Sequence, residues 1–144
     1  MEQNYTINDI ETLSFKDGVR QRIAMYLGSA DMQGVYNAIQ EIISNSIDEY
    51  YMGYGNKIEI SLNHTSDGDM LTIMDFARGI PVDYNPKEER FNWELLYCEM
   101  YAGGKYNTNE GQNYEFSLGL NGLGLCSTQY ASEYMDVEVK RDGF

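Results

Sequence analysis

Three stretches of this 144-residue sequence carry residues whose types and spacing suit chemistry on a charged ligand. The first holds Glu41, Asn45 and Asp48. At about 100° per residue, a helix gathers these three within roughly 60° of arc. Asn45 can offer an amide oxygen to a hard cation such as Mg²⁺, which takes few protein oxygens when phosphates and water complete its octahedron. Glu41, one turn earlier, can accept a proton from an attacking water. The plainer reading of such a trio is a solvated helix face opposite the apolar one, and both readings stand at this point.

The second stretch runs from Asp75 through Phe76, Ala77, Arg78, Gly79 and Ile80 to Pro81. Alternation puts Asp75 on the same strand face as Leu71 and Ile73, the face expected to meet a helical layer. A carboxylate buried there costs several kcal/mol, on the order of what transfer data give, unless it accepts good hydrogen bonds. An exocyclic amine such as adenine N6 would supply one and a bound water another. The competing reading is an Asp capping a turn before Gly and Pro.

The third comprises Gly103, Gly104 and Lys105 with the later glycine loop Ser117, Leu118, Gly119, Leu120, Asn121, Gly122, Leu123 and Gly124. Glycines let backbone N–H groups crowd phosphate oxygens, and a helix N-terminus following them adds a favourable dipole. The spacing matches neither the P-loop nor the dinucleotide fingerprint, so those two folds are excluded. Taken alone, such a loop also reads as ordinary turns.

The elements that must position these residues follow from periodicity. Residues 17–22 suit a short helix, and 25–28 a turn closing it. Val35, Ile39, Ile42, Ile43, Ile47 and Tyr50 recur at helical spacing and predict a helix over 33–52, with Asp31 as N-cap and Gly53 as the stop. Ile58, Ile60 and Leu62 alternate as a strand over 57–63, and a turn at 64–68 leads to a second strand over 70–75. Residues 77–89 read as loop, 92–100 as helix, 102–113 as aperiodic, 124–131 as helix and 134–140 as a third strand. Helices and strands do not alternate as βαβ units, so the expected class is α+β. The architecture is a two-layer sandwich with a mixed, mostly antiparallel sheet covered on one face by helices. One domain over 15–144 follows an N-terminal arm over 1–14.

Composition narrows the function. A net charge of −13 repels nucleic-acid phosphates, so this segment is a poor surface for direct DNA contact. Cys98 and Cys126 read as core thiols, and with His64 as the single histidine a zinc site is excluded. No apolar run is long enough for a membrane span, no basic leader opens the chain, and a reducing cytoplasm is the expected compartment.

Together these segments resemble the GHKL, or Bergerat-fold, ATPases, and within them the B subunits of type IIA DNA topoisomerases (gyrase B and topoisomerase IV B). Glu41 to Glu49 resembles the family's E-x-x-D-N-x-x-D-E helix, and Asp75 to Pro81 its D-x-G-x-G-I-P. Residues 102–105 resemble A-G-G-K at the ATP lid, and 119–124 resemble G-L-H-G-V-G. The opening segment over 19–28 is similar to V-R-x-R-P-x-M-Y-I-G, which the kinases and chaperones of the superfamily lack. The departures are Ala77 for the first glycine of D-x-G-x-G, Leu118 for a frequent Gly, Asn121 for His, and Ile23 and Ala24 for Pro-Gly. They describe a divergent member.

The resemblance implies ATP and Mg²⁺ as cofactors and assigns roles residue by residue. Glu41 would be the general base and Asn45 the Mg²⁺ ligand, with Asp48 and Glu49 completing the helix motif. Asp75 would accept from adenine N6. Arg78 would flank the adenine and pair with Glu49, with Gly79, Ile80 and Pro81 continuing that loop. Tyr114 would reach the purine, and Gly104, Lys105, Gly119, Leu120, Asn121, Gly122, Leu123 and Gly124 would wrap the phosphates. Tyr5 would cross to the partner's nucleotide when the ATPase domains self-associate. A gyrase A-like subunit and DNA would be engaged through a transducer and a TOPRIM domain lying beyond these 144 residues. The alternative is a degenerate nucleotide-binding module with little or no hydrolysis.

Overall fold

The computed structural model describes residues 12–101 and 123–144. Two short helices open it, α1 (Phe15–Gln21) and α2 (Ile23–Leu27). Ser14 caps α1 by accepting from the Asp17 N–H at 3.2 Å, which satisfies one of the unpaired donors of the first turn. Residues 25–28, expected as a turn, belong instead to the end of α2 and its left-handed cap at Gly28 (φ 78°). Five residues are too few to display a helical period, so sequence could not show it.

The long helix α3 (Met32–Tyr51) starts where Asp31 accepts from the Gln33 N–H at 2.9 Å. Asn37 ties it to α2 by donating to the Leu27 carbonyl at 2.7 Å. Gly34 permits the close entry of the chain: a Cβ there would meet the Ser29 carbonyl carbon at 2.9 Å and its oxygen closer still. After Gly53 the chain forms an antiparallel hairpin of β1 (Ile58–Thr65) and β2 (Gly68–Asp75), closed by Ser66 and Asp67. Its register pairs Ile60 with Ile73, Leu62 with Leu71 and Ile58 with Asp75, so the expected apolar face forms.

Residues 77–89 are not wholly loop. They contain β3 (Tyr84–Asn85), which pairs with β4 (Arg90–Phe91) in a second small hairpin, braced by an edge-to-face contact of Tyr84 and Phe91 at 5.4 Å. Helix α4 (Asn92–Cys98) follows, its first turn held by Glu94 accepting from the Phe91 N–H. It ends two residues before the expected 100. The last helix is α5 (Gly124–Ala131). Residues 134–140 carry strand-like alternation but form no ladder among the described residues. Alternation specifies which side chains share a face; it does not supply an edge in register to pair with. This stretch lies beside the loop after β2, where Arg141 Nη1 donates to the Gly79 carbonyl at 2.9 Å.

The best-buried apolar residues are Val19, Leu27, Tyr97 and Cys126, so the core sits where the first two helices, α4 and α5 converge. Phe15 stacks edge-on against both Tyr26 and Tyr130, and Arg20 donates to the Tyr130 carbonyl. By contrast Val35, Tyr50, Ile60 and Leu62 each remain at least half exposed. No helix among the described residues is long and apolar enough to cross a membrane.

Two expected outcomes follow from this core. Burial pushes the Cys126 thiol up to about 12, with Cys98 and Glu99 adding in the same direction. The unfolded thiol ionises near its ordinary 9.0, so above that pH the unfolded chain holds fewer protons than the folded one. The stabilisation is complete below pH 9 and is lost as pH rises toward 12; urea midpoints at pH 8 and 10.5 should fall, and fall less in Cys126→Ala. The Ser127 hydroxyl is buried with no hydrogen-bond partner among the described residues. Ser127→Ala should therefore leave the midpoint unchanged or raise stability by about 1 kcal/mol.

Candidate functional site

The C-terminal half of α3 is joined to the end of β2 by two side-chain links. Ser46 Oγ donates to Asp75 Oδ2 at 2.8 Å. Three residues on, Arg78 grips Glu49 with two bonds, Nε to Oε2 at 2.8 Å and Nη2 to Oε1 at 3.1 Å. Residues at i and i+3 of a helix share a face, so the paired rungs dock the strand end and its following loop along one side of α3. The Arg78 guanidinium also lies over the Tyr54 ring, 4.2 Å from its centre. The fork geometry and the ring together fix its plane.

Asp75 departs from expectation in its burial: the residue is exposed. It occupies the last register position of the hairpin, opposite Ile58, and remains exposed although Ser46 of α3 reaches it. Its carboxylate is nonetheless held on both oxygens, because the Ala77 N–H donates to Oδ1 at 3.2 Å. That contact comes from the backbone, so alanine provides it as well as glycine would. Burial, and then the charge of Asp75, raise the Tyr97 phenol above its usual value.

The trio on α3 does not share one environment. Glu41 is exposed, Asn45 half-buried and Asp48 buried at 3 % exposure, so the solvated-face reading fails for Asp48. The helix runs deeper at its C-terminal half, where the end of β2 and the Arg78 loop meet it. Asn45 Nδ2 donates to the Glu41 carbonyl at 2.9 Å. With its nitrogen engaged on the helix, its oxygen is the atom left for a ligand, and a neutral oxygen suits a hard cation. No group of three or more His, Cys, Asp or Glu among the described residues gathers in a way that could hold a metal.

Glu41 meets α5. A Cβ on Gly124 would lie 2.9 Å from Glu41 Cβ and Cδ and would overlap Oε2. The first residue of α5 is thus packed on the Glu41 side chain, with Leu123 just before it as the N-cap position. Gly79 adopts φ 73°, and its Cα sits against the 139–141 chain, where a Cβ would meet the Lys140 carbonyl at 2.9 Å. Ile80 is half-buried and Pro81 exposed.

Two shallow clefts of about 230 Å³ each flank α3. One is walled by Ser46, Tyr50, Tyr54, Asp75 and Phe76; the other includes Glu41 with Tyr26, Asn37 and Gln40. The structure therefore brings Asp75 to α3 and Glu41 to α5, but the described residues put Asp75 and Glu41 in separate clefts. Tyr5, Gly104, Lys105, Tyr114, Gly119, Leu120, Asn121 and Gly122 lie outside the described residues.

Sequence reasoning missed Ser46 and Tyr97. Ser46 had a signal. It interrupts the apolar stripe at four residues from both Ile42 and Tyr50, where a polar side chain must find a partner.

Comparison with known proteins bears on this arrangement. Residues 30–143 match the model of the family described as "Histidine kinase-, DNA gyrase B-, and HSP90-like ATPase". Over 142 residues, 99% of the chain, it is 34% identical to the DNA gyrase B protein of Spiroplasma citri and 37% identical to that of Haloferax volcanii. It is 36% identical, over the same share, to the DNA topoisomerase 4 B protein of Staphylococcus aureus. The chain spans 20–21% of the length of these relatives. Among solved structures, the 43K ATPase domain of Thermus thermophilus gyrase B, crystallised in complex with an aminocoumarin, superposes with a TM-score of 0.57. That match has 32% identity and covers 79% of this chain and 25% of the other.

The seam between α3 and α5 generates a direct expectation. Gly124→Ala forces Glu41 aside and should destabilise the protein by about 1–3 kcal/mol. Because the added methyl strikes the Glu41 side chain, the double variant with Glu41→Ala should lose at least about 0.5 kcal/mol less than the two single losses added together. Chemical denaturation of the four proteins of the cycle checks this, and strict additivity would contradict the contact.

Proposed function

The chain belongs to the histidine kinase-, DNA gyrase B- and HSP90-like ATPase family, and from that membership we propose that it binds and hydrolyses ATP as the ATPase domain of a type IIA topoisomerase of the gyrase B kind. The observation supporting this reading most directly is the docking of the β2 end on α3 through Ser46–Asp75 and Arg78–Glu49. It fixes the Asp75 carboxylate at the end of β2 against the helix that carries Asn45 and Glu41, which supports reading it as an acceptor for a purine amine.

In this reading Asp75 accepts from adenine N6, and Arg78, held in plane by Glu49 and Tyr54, flanks the base. Asn45 offers its free amide oxygen to Mg²⁺, which when bound neutralises phosphate charge. Gly104, Lys105 and the backbone of 119–124 enclose the triphosphate, and Tyr114 reaches the purine. Glu41 accepts a proton as water attacks the terminal phosphate. Its packing against Gly124 at the start of α5 supports a role at the phosphate end, with Asp75 at the purine end.

In the longer protein, ATP binding would join two such domains, with Tyr5 of each reaching the other's nucleotide, and hydrolysis would part them. That cycle would gate DNA passage with a gyrase A-like subunit, the DNA contacts being made by other domains because this one carries a net charge of −13. Binding without useful hydrolysis is the alternative, prompted by Ala77 and Leu118.

Glu41→Ala in the full-length protein should keep nucleotide affinity within about twofold while lowering steady-state phosphate release by at least about 10²-fold, the scale of a lost general base. Normal turnover by that variant would contradict the assignment. Measurable binding by the wild-type protein with no phosphate release would favour the alternative.

A further inference from the structure

We propose that Ser46 is a positioning residue that fixes the Asp75 carboxylate and thereby sets the preference for a 6-amino over a 6-oxo purine; this rests on the assignment of Asp75 to the base.

The case begins with a cost. Ser46 is 7 % exposed and stands on the apolar stripe of α3, four residues from Ile42 on one side and Tyr50 on the other. An apolar residue would fit that stripe without desolvating a hydroxyl, whereas Ser needs a good partner to offset the penalty. Its hydroxyl finds one in Asp75 Oδ2 at 2.8 Å, across 29 positions of sequence.

Asp75 in turn needs the help. The residue is exposed at a strand end, and the terminal torsion of an aspartate is broad, so water can turn the carboxylate freely. Two donors stop that rotation: the Ala77 N–H on Oδ1 and the Ser46 hydroxyl on Oδ2. The first is backbone and independent of side-chain identity. Ser46 therefore supplies the side-chain half of the clamp.

A clamp made of donors has a chemical consequence. It presents one donor to each carboxylate oxygen and leaves each oxygen one further direction in which to accept. An exocyclic amine at purine C6 satisfies such an oxygen. A carbonyl at the same position meets it lone pair to lone pair, leaving an acceptor unsatisfied. Ser46 and Asp75 also share the wall of one cleft, so the clamp acts at a surface a ligand can reach. Ser46 directly follows Asn45, so the residue that orients the base acceptor is bonded to the one that offers an oxygen to metal.

The test titrates the full-length protein with β,γ-imido analogues of ATP, GTP and purine-riboside triphosphate, the last bearing only hydrogen at C6. Wild type, Ser46→Ala, Ser46→Thr and Asp75→Asn are compared. In Ser46→Ala, affinity for the ATP analogue should fall on the order of tenfold and that for the purine-riboside form less than about twofold, while Ser46→Thr keeps the wild-type preference. An undiminished preference in Ser46→Ala overturns the inference. So does an equal loss for all three ligands, which marks a merely structural role. If the wild-type protein fails to bind the ATP analogue, or Asp75→Asn binds it unchanged, the assignment of Asp75 falls and the inference falls with it.

Discussion

A helix carrying acid and amide groups does nothing chemical until something fixes what stands opposite it. Here that constraint is the pair of rungs between α3 and the end of β2, Ser46 to Asp75 and Glu49 to Arg78. Each spans 29 residues, and the two are one helical turn apart, so they dock two points of the Asp75–Arg78 segment on one face of α3. A single link would leave the strand end free to pivot about it; two also fix direction. The ion pair is partly exposed, with side-chain exposures of 38 % for Arg78 and 25 % for Glu49, so its contribution to stability is small. Its worth is geometric: a bidentate fork, backed by the Tyr54 ring, admits few arrangements.

The fold was legible wherever a period ran long enough to be read. Six apolar positions across twenty residues placed α3 within one residue at either end, and the Asp31 cap was visible as a residue type before the bond was seen. Alternation likewise gave both strands of the first hairpin and which residues would share its face. Short elements were not legible. Helix α2 has five residues and each strand of the second hairpin two, and no periodicity can emerge from so few. Residues 134–140 form no ladder among the described residues for a different reason. They satisfy the local requirement for a strand, but pairing is a property of two segments, and only one was in view.

The candidate site was legible as residue types and less so in its surroundings. Residue types pointed to Asp75, Asn45 and Glu41, yet the expectation that Asp75 would be buried came from facing alone and ignored that the strand stops there. Asp48 erred in the opposite direction. Helical arithmetic grouped it with Glu41, while the depth of α3 in the fold differs between its two ends. Angular position tells which side of a helix a residue occupies; how much structure lies over that side at each turn is set by elements distant in sequence.

Ser46 shows how a violation of pattern carries information that agreement does not. The apolar stripe of α3 is respected by Ile39, Ile42, Ile43 and Ile47, and its consistency makes the one serine within it conspicuous. Polar atoms in such a position must be paired or carry a free-energy cost, and the partner proves to be the strand-end carboxylate. The same stripe leaves Val35 and Tyr50 at least half exposed, along with Ile60 and Leu62 of the sheet. The apolar faces are therefore only partly filled by the described residues, and the α3–β2 contact does not arise from a dense hydrophobic core. Hydrophobic patterning selects which faces turn inward, but it is non-directional and cannot by itself set where along those faces two elements meet. That placement falls to hydrogen bonds, which act only at defined distances and angles. In this chain the polar exceptions within an apolar pattern fix the register of the site.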